Sequence, residues 1–254
     1  MVIALFLVGC SGENDRPGAT PAAVAEPSST TVAPTTVAPT TTVPSAPVYS
    51  LATAKVRSVD VYNSPVQSEP ARALENPQPS GAAPGSTLPL RMLVTEERDD
   101  WLKVLLPIRP NGSSGWVRRA TVDLESHTFR AVVELGEHRI TVWQGNEVVL
   151  REPVGVGASG RTPTTQGLFY TTELFEVAAN QRDAYGPYAF SLSGFSEVLY
   201  SFGAGGTGVL GIHGTSDASS LGRDVSSGCI RMSNAGITRL ANLLPLGVPV
   251  EIKA

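Results

Sequence analysis

The chain has 254 residues, of which 41% are hydrophobic and 17% are charged, and its formal net charge at pH 7 is −4. This length is enough for two small domains. An acidic chain without a basic cluster lacks the electrostatic footprint of nucleic-acid binding, which argues against a nucleic-acid partner.

Residues 1–10 are predicted to be a lipoprotein signal segment. An apolar run ends in Leu7-Val-Gly-Cys10, which resembles the lipobox of bacterial lipoproteins. The resemblance implies cleavage before Cys10 and lipidation of its thiol, and hence an extracytoplasmic protein anchored to the cell membrane and facing the cell wall. The run is shorter than the about 20 residues that span a bilayer and lacks a basic start, so we expect a start upstream of Met1 or a truncated apolar region. An ordinary secretory peptide or a disordered terminus is the alternative.

Residues 11–47 are predicted to be a disordered linker rich in proline and threonine. The segment Thr30-Thr-Val-Ala-Pro34 is repeated directly afterwards as Thr35-Thr-Val-Ala-Pro39. Such a composition buries no core, and recurrent proline favours extended polyproline-like structure. The linker is therefore expected to act as a semi-rigid spacer between the membrane and the folded region.

Residues 48–124 are predicted to be a small β domain, because short apolar runs alternate there with turn signals. Residues 54–62 alternate apolar and polar side chains, and Asn111-Gly112 is a hairpin signal between two later runs. The domain resembles a bacterial Src-homology-3-like barrel. Trp101 and Trp116 are predicted to fill its small core, with glycan or peptide binding as the less favoured alternative.

Residues 126–254 are predicted to be a second, mainly β domain. Three alternating strands separated by short turns occupy residues 128–154, and the loop Thr162-Pro-Thr-Thr-Gln-Gly167 leads into a further strand. Ser233 is a predicted N-cap, followed by one short amphipathic helix and a closing strand over residues 248–252.

One histidine and one cysteine of the second domain have surroundings that suit nucleophilic catalysis. Residues 208–213 predict a short strand that ends at His213, and Ser226-Ser-Gly-Cys229 predicts a tight turn. An imidazole that takes the thiol proton creates a thiolate, a strong nucleophile toward carbonyl carbon. We therefore predict that Cys229 is alkylated faster at neutral pH than a model thiol, and that the amides of Gly228 and Cys229 stabilise an oxyanion.

The alternative interpretation is a structural histidine and a buried structural cysteine. A closed zinc site needs four ligands with recognisable Cys and His spacing, and residues 11–254 contain one cysteine. Zinc binding is therefore disfavoured.

The same stretch resembles the motif of the YkuD-type L,D-transpeptidases. His213-Gly-Thr and, after a spacer, Ser226-Ser-Gly-Cys-Ile-Arg-Met232 match the family pattern, with Ser227 in place of a second histidine just before Gly-Cys. The resemblance implies a mainly β fold: a β-sandwich-like catalytic domain with one short helix, preceded by the barrel and the linker. It also implies acyl transfer without a metal or other cofactor.

The resemblance further assigns roles to individual residues. Cys229 is the nucleophile and His213 the general base, while oxyanion and loop support fall to Gly228, Ser227 and Ser226. Four residues are predicted to bind substrate: Gly214, Arg231, Tyr188 and Ser193.

The substrates implied are peptidoglycan stem peptides, and carbapenem-type inhibitors are the implied inactivators. In the implied reaction Cys229 attacks the carbonyl between a diamino acid and D-Ala, and an amine of a neighbouring stem then takes the acyl group to cross-link the wall. Water as acceptor would give an L,D-carboxypeptidase. A non-catalytic wall-binding lipoprotein is the third hypothesis. It is favoured by Ser227, which stands where the family has a histidine.

Overall fold

The structure is a computed structural model that describes residues 45–80, 85–201 and 207–254. The predicted signal segment with Cys10 and nearly all of the predicted linker lie outside the described residues. The described residues belong to one compact unit. Within these three ranges, no helix is both long enough and apolar enough to cross a bilayer.

The first part of this unit is an antiparallel sheet. Its strands and the flanking short ribbons are β1 (Tyr49–Ala54), β2 (Ser58–Val61), β3 (Arg72–Glu75), β4 (Gln78–Pro79), β5 (Thr87–Leu88), β6 (Arg91–Arg98), β7 (Trp101–Leu105), β8 (Ser114–Arg118) and β9 (Val122–His127). The sheet order is β8-β7-β6-β1-β9, and β2 pairs with β3 and β4 with β5. We call residues 45–127 the N-terminal sheet region. Its last strand runs through His127, three residues beyond the predicted boundary at Leu124.

Side-chain alternation explains the core of this region. In β2, Val59 and Val61 are buried whereas Ser58 and Asp60 are exposed, as the period of two in a strand requires. The predicted hairpin at Asn111-Gly112 is confirmed, because β7 and β8 pair antiparallel on either side of it. Gly112 has a φ of 77°, a left-handed conformation that glycine adopts without steric cost.

Trp101 and Trp116 are both buried, with 7% and 6% of their surfaces exposed. The apolar cluster of the N-terminal sheet region contains Leu102 and Val117, their neighbours on the same strands. The tryptophans therefore face the other side of the sheet, where guanidinium groups cover them: Arg118 lies 3.7 Å from the Trp101 ring and Arg98 lies 5.1 Å from the Trp116 ring. They are buried as predicted, but under cation–π contacts rather than inside the apolar cluster.

The second part of the unit is a larger sheet with two helices. Its elements are β10 (Phe129–Glu134), β11 (Arg139–Gln144), β12 (Glu147–Pro153), β13 (Val156–Gly157), β14 (Gly167–Glu176), α1 (Arg182–Tyr185), β15 (Tyr188–Phe195), β16 (Val209–Thr215), β17 (Asp224–Ser226), β18 (Ile230–Ser233), α2 (Asn234–Leu243) and β19 (Pro249–Lys253). The sheet order is β12-β11-β10-β19-β14-β15-β16-β18, and β13 pairs with β17. The mainly β fold class is confirmed, and residues 128–254 are called the C-terminal sheet region below.

The opening meander β10–β11–β12 is antiparallel, as predicted. The closing strand β19 lies inside the sheet, between β10 and β14. It is parallel to β10 and antiparallel to β14. A second parallel pair, β16 with β18, stands at one end of the sheet order. Parallel neighbours cannot be joined by a tight turn, so the chain between β16 and β18 must return along the molecule before it reaches Cys229.

Helix α2 is the predicted amphipathic helix, and α1 is one additional turn. The N-cap prediction is confirmed, because Oγ of Ser233 accepts a hydrogen bond of 2.9 Å from the amide of Gly236. Ile237 and Leu240 are completely buried in the apolar cluster of the C-terminal sheet region, which also contains Ile212 of β16. The helix thus covers one face of β16 and leaves the opposite face to the candidate site.

Candidate active site

Strands β16 and β18 bring the predicted base and the predicted nucleophile together. Ile212 pairs with Ile230 and His213 with Arg231, in parallel register. Ile212 and Ile230 belong to the apolar cluster, so their neighbours His213, Arg231 and Cys229 point to the opposite face. Cys229 lies beside Gly211: a Cβ on Gly211 would be 3.8 Å from its sulfur. The spacer between the two halves of the motif therefore folds so that they share one face of the sheet.

The imidazole of His213 is buried, with 5% of the residue exposed. Its Nδ1 lies 2.7 Å from the carbonyl oxygen of Gly214. Because a carbonyl can only accept, Nδ1 carries the hydrogen and Nε2 keeps its lone pair. The tautomer held by this bond is the one a general base requires.

Burial sets the protonation states of the pair. It lowers the pKa of His213 to about 4, and the charge of Arg231 acts in the same direction, against the raising effect of the bond to Gly214. Desolvation raises the pKa of the Cys229 thiol, which a backbone hydrogen bond from Gly211 and the charge of Arg231 offset only in part. Both groups are therefore neutral at pH 7. These directions oppose a resting thiolate, and the fast alkylation of Cys229 stays a prediction.

The turn before the nucleophile is held by Ser226. Its Oγ donates to the carbonyl oxygen of Cys229 at 2.6 Å and accepts from the amide of Gly228 at 3.1 Å. Gly228 has a φ of 118°, which a residue with a Cβ rarely adopts. The Gly228 amide thus points into the turn, and the prediction that it faces an incoming carbonyl is wrong. A nearby serine hydroxyl competes for it successfully because the two groups are only two residues apart.

The predicted Thr-Pro loop supports this turn from behind. The carbonyl oxygen of Ser226 accepts hydrogen bonds of 2.9 Å from the amide of Ala158 and from Oγ1 of Thr162. The carbonyl oxygen of Pro163 would lie 3.7 Å from a Cβ on Gly228. The loop and the turn therefore pack as one body, which limits the freedom of Cys229.

Gly214 and Arg231 were predicted to bind substrate. Gly214 is a close-packing position, since a Cβ there would lie 2.6 Å from Oδ1 of Asn234 and 2.9 Å from Cα of Gly186. Arg231 is tied by its backbone to Gly155, with bonds of 2.9 and 2.8 Å. Its Nε is buried and has no hydrogen-bond partner among the described residues, and its contact with substrate stays a prediction.

Tyr188 and Ser193, the two weaker substrate candidates, both lie on β15. Tyr188 packs against the apolar cluster of the C-terminal sheet region. Ser193 is buried, and its Oγ accepts a hydrogen bond of 3.2 Å from the amide of Tyr170. The structure gives both side chains a place within the sheet, and their contact with substrate stays a prediction.

Ser227 and Tyr185 complete the surroundings. Ser227 is exposed at the tip of the turn, beside the buried Ser226. Tyr185 of α1 was not predicted: 43% of its surface is exposed and its ring centroid lies 4.9 Å from that of His213. The Tyr185 ring therefore contributes to the burial of the imidazole. The sequence signal nearest to Tyr185 is the turn dipeptide Gly186-Pro187 directly after it, which favours an exposed position for Tyr185.

The C-terminal sheet region is similar to known proteins. Residues 128–252 match the family model of the YkuD L,D-transpeptidase catalytic domain. YkuD of Bacillus subtilis, which is named only provisionally as an L,D-transpeptidase, is 32% identical over 124 residues, or 49% of this chain and 65% of that protein. The match therefore leaves about half of this chain and a third of the relative outside the aligned region.

Solved L,D-transpeptidases are more distant. One from Mycobacterium tuberculosis is 18% identical with a TM-score of 0.41, over 56% of this chain and 65% of that one. One from Enterococcus faecium is 20% identical with a TM-score of 0.38, over 49% of each chain.

Proposed function

We propose that the chain is a cysteine-dependent acyltransferase, an L,D-transpeptidase that acts on peptidoglycan stem peptides. The observation that carries the proposal is the parallel pairing of β16 with β18, which places His213, Arg231 and the Cys229 turn on one face of the sheet. The match of residues 128–252 to the transpeptidase catalytic domain supports the same chemistry.

The reaction begins from the neutral pair. As Sγ of Cys229 attacks the carbonyl carbon between the diamino acid and D-Ala, its proton passes to Nε2 of His213. The amide of Cys229 is the donor available to the developing oxyanion, since the Gly228 amide is held by Ser226. Collapse breaks the C–N bond, and His213 returns the proton to the departing amine of D-Ala. A thioester on Cys229 remains.

The second half-reaction reverses these roles. An amine of a neighbouring stem attacks the thioester carbonyl and loses a proton to His213, and the thiolate that leaves is reprotonated by the imidazolium. The products are a new amide cross-link and the original thiol. Arg231 stabilises the transient negative charge, because its guanidinium already favours the anionic form of Cys229. Its free Nε is the donor that we assign to substrate.

The experiment that tests this proposal measures the release of D-Ala from a stem peptide. Wild-type protein incubated with a tetrapeptide stem and an amine acceptor is expected to release D-Ala and to form the amide cross-link. Release of D-Ala without a cross-link would identify an L,D-carboxypeptidase. A folded wild-type protein that binds the stem and releases nothing would favour the non-catalytic wall-binding function instead.

We also propose that a lipid on Cys10 anchors the protein outside the cytoplasm, and the lipobox-like Leu7-Val-Gly-Cys10 supports this. In its host, the protein is expected to sediment with membranes, whereas Cys10→Ser is expected to appear in the soluble extracytoplasmic fraction, since the variant lacks the proposed lipid anchor. Membrane association that persists in Cys10→Ser would contradict the lipid anchor.

A further inference from the structure

The turn between β7 and β8 reaches out of the N-terminal sheet region and contacts the end of β15. Nδ2 of Asn111 donates to the carbonyl oxygen of Phe195 at 2.8 Å, and the amide of Phe195 donates to Oδ1 of Asn111 at 2.9 Å. The regular pairing of β14 with β15 stops at Thr171 and Leu192. The carboxamide of Asn111 therefore serves Phe195 as a strand partner would, with one donor and one acceptor.

Arg109 of the same turn holds the next residues of the chain. Its Nη1 donates to the carbonyl oxygen of Ser196 at 2.8 Å, and its Nη2 lies 3.5 Å from that of Leu199. The guanidinium lies 4.7 Å from the rings of both Phe195 and Tyr200. This combination of planar donors and two aromatic contacts is specific to arginine.

The returning end of the chain is held at the same place. The amide of Ser196 donates to the carbonyl oxygen of Gly208 at 2.8 Å. Gly208 has a φ of 72°, and a Cβ there would lie 2.8 Å from Nη2 of Arg109. Arg109 thus holds the chain where it leaves β15, and Gly208 returns in close contact with its guanidinium.

This attachment point controls the strand that carries the base. β16 begins at Val209, directly after Gly208, and Val209 pairs with Phe195. Farther along the same strand, Gly211 lies against the sulfur of Cys229 and His213 carries the imidazole. A shift at the start of β16 would therefore displace both groups relative to the thiol.

We infer that Asn111 and Arg109 are positioning residues for acyl transfer at Cys229. In this role the N-terminal sheet region fixes the position of β16, which carries His213. It does so through a turn for which the sequence predicts only a hairpin. The inference rests on the proposed acyltransferase function and adds two residues to it that lie outside the region matched by the transpeptidase family.

The test compares the rate of Cys229 acylation in Asn111→Ala with that in Ser113→Ala. Ser113 belongs to the same turn, where its Oγ donates to the carbonyl oxygen of Pro110 at 2.7 Å, and it serves as the matched control. Asn111→Ala is expected to slow acylation by about ten- to hundredfold, the usual cost of a small misplacement of reacting groups. Ser113→Ala is expected to stay within about threefold of wild type, because one exposed hydrogen bond contributes little.

A second control separates positioning from stability. Oη of Tyr170 lies 2.9 Å from the carbonyl oxygen of Arg91 and 3.2 Å from that of Leu105, so it links the same two sheet regions at another place. Tyr170→Phe is expected to lower the melting temperature but to keep the wild-type rate in the folded protein. In Asn111→Ala, alkylation of Cys229 is expected to require a higher pH than in wild type, because a displaced imidazole no longer accepts the thiol proton.

Equal acylation rates of folded wild type and Asn111→Ala would overturn the inference, as would equal losses in Asn111→Ala and Ser113→Ala. If Asn111→Ala does not fold, Asn111→Asp replaces it, since the carboxylate still accepts from the Phe195 amide but no longer donates. If the proposed function is wrong, the result is different: the wild-type protein itself is not acylated. Alkylation by iodoacetamide needs no substrate, so identical alkylation profiles in wild type and variant would then still overturn the positioning role.

Discussion

Replacing His213 with alanine is expected to slow acylation of Cys229 by about 10²- to 10⁴-fold, the usual contribution of a positioned general base. The bond from Nδ1 to Gly214 leaves Nε2 as the acceptor of the thiol proton. Without it the Cys229 thiol, whose pKa is raised by desolvation, loses the base that we propose for it at neutral pH. Single-turnover acylation followed by mass spectrometry measures the loss directly.

The pH dependence gives this prediction a sharper form. Burial lowers the pKa of His213 to about 4, so kcat/KM is expected to be retained as pH falls below about 6.5 and to be lost as pH passes through about 4. That acid limb is expected to disappear in His213→Ala. An acid limb near the ordinary histidine pKa of about 6.5 would contradict the buried, neutral base described here.

The kcat/KM measurements at acid pH need a control for unfolding. The unfolded chain binds a proton at His213 near pH 6.5, whereas the folded chain binds it only near 4. The unfolded state therefore holds more protons in this interval, and the free energy of unfolding decreases as pH falls through it. Circular dichroism at each pH separates lost base catalysis from lost structure.

Replacing Ser226 with alanine is expected to lower activity by about hundredfold. The substitution removes both hydrogen bonds of the turn and leaves the Gly228 amide without its partner. An unsatisfied buried group costs about 1–3 kcal/mol, so the turn relaxes, and a misplacement of about 1 Å between reacting groups costs about hundredfold in rate. The thiol and the Cys229 amide are both displaced when the turn relaxes.

Ser227→Ala is the matched control, because the adjacent residue has the same hydroxyl but an exposed position. It is expected to lower activity by about tenfold at most, and acylation of Cys229 is expected to persist. A loss in Ser227→Ala as large as that in Ser226→Ala would show that Ser227 touches the base or the substrate, and would contradict the division of roles between the two serines.

Local patterns were sufficient to predict much of the fold. Alternation identified the meander from β10 to β12, and the Ser233 cap marked the start of α2. The sequence also indicated that His213 and Cys229 belong to one site, because a strand carries the first and a turn rich in small residues carries the second. These features depend on neighbours within a few residues, which a sequence displays directly.

The remaining features depend on burial and on tertiary contacts. Ser226 and Ser227 are identical in chemistry, yet the Ser226 hydroxyl is buried and bonded within the turn whereas Ser227 is exposed. The lowered pKa of His213 follows from desolvation. The residues next to His213 in the sequence give no sign of how deeply the imidazole is buried. Asn111 was read correctly as a turn residue, yet its partner Phe195 lies 84 positions away.

The most direct measurement of the central claim, that Cys229 is an acylated nucleophile, is the intact mass of the protein after incubation with a carbapenem. A carbapenem is the probe because the resemblance of the His213 and Cys229 motif to the L,D-transpeptidases implies this class of inactivator. Wild-type protein is expected to gain the mass of one carbapenem, with the adduct on the peptide that contains Cys229, and Cys229→Ala is expected to gain none. A folded wild-type protein without an adduct, or an adduct that persists in Cys229→Ala, would contradict the claim.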